Sequence, residues 1–113
     1  MQIQDMAERV IETLCSEGCP VGGVAATLAR GWPDAPILDL VLAIASGCDA
    51  VERMFGPDGP SGTRAREGWQ VATLIATDLR AMQVMGLTGD CARDLLSYWQ
   101  NHDPYFLTWD VTA

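Results

Sequence analysis

The chain has 113 residues, close to the size of one domain, and fifteen carboxylates against seven arginines give it a net charge of −8. That field repels nucleic acid and anionic membrane surfaces, and no apolar run approaches the ~20 residues needed to span a bilayer. There is no lysine, which excludes a Walker-type phosphate loop, Schiff-base chemistry and a protein-kinase core.

Five helices are predicted in chain order. Over residues 3–17, Ile3, Met6, Ala7, Val10, Ile11 and Leu14 share one face at helical spacing, and Gly18 is the expected stop. Pro20 suits a first helical turn, and the second helix runs over 20–31 to Gly31 and Trp32-Pro33. Asp34 is placed to cap the third, over 35–54. Its stretch ILDLVLAI leaves little polar face, so a central helix wrapped by its neighbours is expected, and the small residues Ala43, Ala45, Ser46 and Gly47 permit a close crossing. Asp49 and Arg53 are spaced for an i,i+4 pair.

The segment GPDGPSG, residues 56–62, is the clearest loop, with Ser61 or Thr63 as cap for a fourth helix over 64–85. The stripe of that helix is Ala65, Trp69, Ala72, Ile75, Ala76, Leu79 and Met82. The fifth, over 89–100, starts at Thr88 with Asp90 in its first turn, and buries Ala92, Leu95, Leu96 and Trp99. No run alternates as a strand does, and no linker separates two domains. The expected fold is all-α: one compact bundle of about five helices with an aromatic-rich, non-helical tail over 101–113.

Several residues are candidates for chemistry. Cys15 and Cys19 are four apart, which fits buried structural thiols better than a redox pair or half a zinc site. His102 is the sole histidine, so sites built on two histidines are excluded, and its place after a helix suits a C-terminal cap. Arg64 and Arg66 lie near the amides of Gly59 and Gly62 as an anion seat would require, but neutralisation by Asp58 and Glu67 is the expectation. A helix-turn-helix reading of the first three helices fails, because the recognition position offers Ile37, Leu38, Leu40 and Val41 rather than basic residues. No metal, cofactor or catalytic set is expected.

The tail poses the main question. Five of the eight aromatic side chains fall within residues 97–110: Tyr98, Trp99, Tyr105, Phe106 and Trp109. Ordering a chain end consumes most of what such rings gain by burial, so the tail stays ordered only if nearly all that area finds a groove. It can fold back on its own helices, exchange with a second copy, or wait for a partner. The expectation is a small acidic protein that acts by binding rather than catalysis, a regulatory or adaptor homodimer. Tyr98, Trp99, Tyr105, Phe106 and Trp109 form its interaction surface, with Trp32 and Trp69 beneath. The alternative is a bundle that holds a small apolar ligand in a pocket with Asp39, Trp69 and His102, the lone Asp39 being its polar anchor. The opening MQIQDMAERVIETL has no basic stretch, so no secretory leader is expected and the cytoplasm is the expected compartment.

Overall fold

The computed structural model describes residues 2–109, and the side chain of Trp109 lies outside that description. Five α-helices and two 3-10 turns follow in order. They are α1 (Gln2–Leu14), a turn at Val21–Gly23, α2 (Val24–Gly31), α3 (Ile37–Phe55), α4 (Pro60–Val84), α5 (Ala92–Asn101) and a turn at Tyr105–Trp109. No strand occurs among the described residues; one isolated bridge joins Pro36 and Cys91. The fold is all-α and a single domain, with a radius of gyration of 13.5 Å, near the ~13 Å expected for its length.

The interior follows the helical period. Met6, Val10 and Leu14 of α1 are buried, as are Leu40, Ile44, Cys48 and Val51 of α3 and Ile75, Leu79 and Met82 of α4. Helix α3 packs chiefly on α1 and α4. Both crossings pass over glycine. A Cβ on Gly47 would lie 2.6 Å from Val10 Cγ1, and one on Gly68 of α4 would collide with the Cys48 sulfur. The close crossing expected at Gly47 is therefore present, and α1 is the helix that uses it.

Helix ends depart from the expected ones, for a common reason: tertiary partners, not local caps, satisfy the orphan backbone groups. Helix α1 stops at Leu14 rather than at residue 17. There the guanidinium of Arg64, from α4, donates to Leu14 O at 2.8 Å, Thr13 O at 2.7 Å and Ser16 O at 3.0 Å, and also to Cys19 O. Arg64 therefore caps α1 from another helix, a role different from the anion seat or a pairing with Asp58 and Glu67.

The N-termini of α3 and α5 satisfy each other. Ile37 N–H donates to Asp90 O at 2.7 Å, Ala92 N–H to Ala35 O at 2.8 Å and Arg93 N–H to Pro33 O at 2.8 Å. Asp34 pairs with Arg93 at 2.8 Å instead of capping. Pro36 is extended, with φ −57° and ψ 142°, so α3 begins at Ile37 and not at residue 35. Helix α5 begins at Ala92 because its N-cap is Cys91, not Thr88. Asp94 reaches back to the Cys91 N–H at 3.3 Å, the reciprocal half of a capping box. Helix α4 starts at Pro60, four residues before the expected 64. Proline at the first position needs no partner for its nitrogen, so the loop shortens to 56–59. The second helix opens as the 3-10 turn after Pro20 before becoming α-helical at Val24.

One expectation about packing is corrected. Helix α3 is not wrapped on every side: Leu38 is 61% and Leu42 51% exposed, one turn apart on an open face. Residues Tyr105–Trp109 form a 3-10 turn, and Phe106 is buried.

Candidate functional site

Trp99, Tyr105 and Phe106 gather where α5 and the tail turn meet α2 and the Val21–Gly23 turn, with Asp78 of α4 reaching Trp99. Trp99 lies on the α5 stripe with Ala92 and Leu95, at i, i+3 and i+7, and is fully buried. Its indole Nε1–H donates to Asp78 Oδ2 at 2.9 Å. Its ring packs against Phe106 with centroids 5.0 Å apart, and Tyr105 meets the edge of Phe106 at 5.2 Å. The tail therefore folds back on its own helices, turning Phe106 inward.

Asp78 was not singled out by the sequence reading. It is the one buried charged side chain among the described residues, 8% exposed. The signal was present: Val71, Ile75, Asp78 and Met82 follow the i, i+4, i+7, i+11 line of the buried face of α4. Burial pushes the Asp78 carboxyl above its ordinary value, and the Asp103 charge adds to this; the Trp99 bond pulls the other way. Burial likewise raises the phenol of Tyr98, with Asp78 and Asp103 contributing.

Of the expected interaction surface, Trp99, Phe106 and most of Tyr98 lie inside the molecule, Tyr105 is half exposed, and the Trp109 side chain lies outside the described residues. The three residues of the expected pocket do not share a groove. Trp69 is partly exposed on α4, and its indole donates to Glu52 of α3. Asp39 is in the first turn of α3. His102 is exposed, follows α5, and stacks on Tyr98 at 5.6 Å. It lines an open groove of about 200 Å³ with Met82, Leu87, Asp94, Ser97 and Tyr98. Trp32 is half buried and borders a second groove, of about 330 Å³, with Asp5, Glu8 and Glu12 of α1.

The cysteines divide by burial. Cys48 is enclosed, and burial with nearby Glu52 pushes its thiol up to about 12, so it is neutral and unreactive. Cys15 and Cys19 are free and exposed rather than buried, because α1 ends before both. Among the described residues no group of three or more His, Cys, Asp or Glu side chains is placed to hold a metal, and no helix is long and apolar enough to cross a membrane.

Comparison with protein-family models, curated proteins and solved structures finds no match. The chemistry of the molecule must be read from its own surface.

That surface has an apolar end. The short loop 56–59 makes α4 run back along α3, and the Ile37–Asp90 bond ties the start of α3 to the chain just beyond α4. Val84 at 71%, Met85 and Leu87 are thus exposed at the same end of the bundle as Leu38 and Leu42. From Ile37 to Gly47, Asp39 is the only charged residue.

Proposed function

We propose that this protein acts by binding rather than catalysis, as a regulatory or adaptor protein that self-associates through the open face of α3. The observation that carries the proposal is the exposure of Leu38 and Leu42 in a helix segment with one charge in eleven residues. Soluble surfaces seldom leave such apolar area uncovered. A two-fold contact is self-complementary, so an uncharged face avoids the repulsion that a net charge of −8 imposes elsewhere. The smallest stable interfaces bury roughly 600 Å² per partner. That is about a tenth of the 6235 Å² surface of this chain.

The aromatic tail supports this reading indirectly. With Trp99 and Phe106 committed to the interior, α3 is the larger remaining apolar surface. A dilution series followed by amide chemical shifts tests the proposal. Shifts are expected along residues 37–46 of α3 and around Val84–Leu87. Shifts confined to residues 102–109, or none, would contradict it.

A further inference from the structure

We propose that Cys15 and Cys19 form a redox-active dithiol, which closes into an intramolecular disulfide by exchange with a low-molecular-weight disulfide of the glutathione class. Their spacing argues against this only on a continuous helix, where the β-carbons stand ~5–6 Å apart and a relaxed disulfide wants ~3.5–4.5 Å. Helix α1 ends at Leu14, before both residues. Both thiols are free, and every residue from 15 to 19 is exposed. The segment therefore has no packing to lose when it shifts by the ~1–2 Å that closure needs. Gly18 lies between the two cysteines, and a Cβ there would meet nothing within 4 Å.

The segment is nonetheless held in a fold. Cys15 N–H donates to Ile11 O at 3.0 Å and Ser16 N–H to Thr13 O at 3.2 Å. Cys19 N–H then turns back to Ser16 O at 3.0 Å, so residues 16–19 form a turn whose end α-carbons lie within ~7 Å. One nitrogen of Arg64, Nη2, donates to the carbonyls of Thr13, Ser16 and Cys19 together. Three carbonyls on one atom draw residues 13–19 into a closed loop. All these contacts are to backbone oxygens, so both thiols stay free to react. Arg64 is the positioning residue of the pair: it fixes the backbone that carries them.

The other two thiols do not compete. Cys48 is fully buried, and Cys91 is half-buried with its thiol donating to Asp94 Oδ2 at 3.1 Å inside the α5 capping box. The exchange runs in two steps. The thiolate of one cysteine of the pair attacks a sulfur of the small disulfide; a protein–glutathione S–S bond forms, the small S–S bond breaks, and one small thiol leaves with the proton the cysteine gave up. The second cysteine then attacks the protein sulfur of that mixed disulfide, the Cys15–Cys19 bond closes, and the second small thiol leaves with the second proton. The protein gives up two electrons and two protons, and the small disulfide takes both.

The test equilibrates the full chain with reduced and oxidised glutathione, quenches with acid, alkylates the remaining thiols in denaturant and reads the intact mass. Two of the four cysteines are expected to escape alkylation with no glutathione attached, and peptide mapping is expected to join Cys15 to Cys19. Cys15→Ser and Cys19→Ser, both at exposed positions, are each expected to stop at the mixed disulfide, whereas Cys91→Ser should behave as the unmodified chain. The equilibrium also gives the effective concentration of the second thiol. In the folded chain it is expected to exceed that in a peptide of residues 12–22 by about fivefold or more, and Arg64→Ala is expected to bring it down toward the peptide value. Glutathione retained on both cysteines, a bond to Cys48, to Cys91 or between chains, or an effective concentration no higher than the peptide's or unmoved by Arg64→Ala would overturn the proposal.

Discussion

Trp99 and Phe106, near the C-terminus, are sealed from water, whereas Leu38 and Leu42, in the most apolar helix of the chain, stand more than half exposed. Composition favours the opposite assignment, because chain ends fray and apolar helices are wrapped. The difference lies in register and partners. Trp99 falls on the same stripe as Ala92 and Leu95, and its one polar atom meets Asp78. Leu38 and Leu42 fall on the side of α3 turned away from both α1 and α4. Position on the helix, and the supply of a second helix to face it, decided which apolar residues went inside.

Substitutions sharpen that contrast, beginning with the largest expected effect. Trp99→Ala removes the largest fully buried side chain and leaves the Asp78 carboxylate without its donor. A loss of about 3–5 kcal/mol is expected in denaturant unfolding. Phe106→Ala empties the seat on Trp99 with less disruption, because only a terminal turn depends on it. About 2–3 kcal/mol is expected by the same measurement. Arg64→Ala strips the carbonyls at the end of α1 of a charged donor, and about 1.5–3 kcal/mol is expected. Exchange should then show the fraying localised to residues 11–19. Leu42→Ala should change monomer stability by less than about 0.5 kcal/mol, although it is as apolar a residue as any in the core. A large loss there would show that α3 is covered in the folded monomer.

The helix periods of Met6–Val10–Leu14 and of Ile75–Leu79–Met82 were legible in the sequence, and with them the all-α fold. The helix ends were not. Local rules place stops at Gly18 and caps at Asp34, Ser61 and Thr88. The chain instead uses Arg64, fifty residues from Leu14, and a backbone exchange between residues 33–37 and 90–93. Such partners are set by the packing of helices, which periodicity does not reveal. The aromatic tail was legible as needing a groove, with a fold-back on its own helices among the expected solutions, but the groove itself was not legible. The stripe that buries Trp99 was visible, but nothing local indicates that Phe106 seats on it. Asp78 sat on a buried line of α4 and lacked the partner, Trp99, that makes its burial tolerable until α5 is placed beside it.

The central claim is that Phe106 of the tail is interior and that self-association, as proposed, uses the open face of α3. The most direct test is solution mass by light scattering over a concentration series, for the unmodified chain, Phe106→Ala and the double variant Leu38→Glu, Leu42→Glu. A dimer that persists in Phe106→Ala and becomes a monomer in the double variant is the predicted result. Loss of the dimer in Phe106→Ala with retention in the double variant, or a monomer throughout in the unmodified chain, would contradict the account.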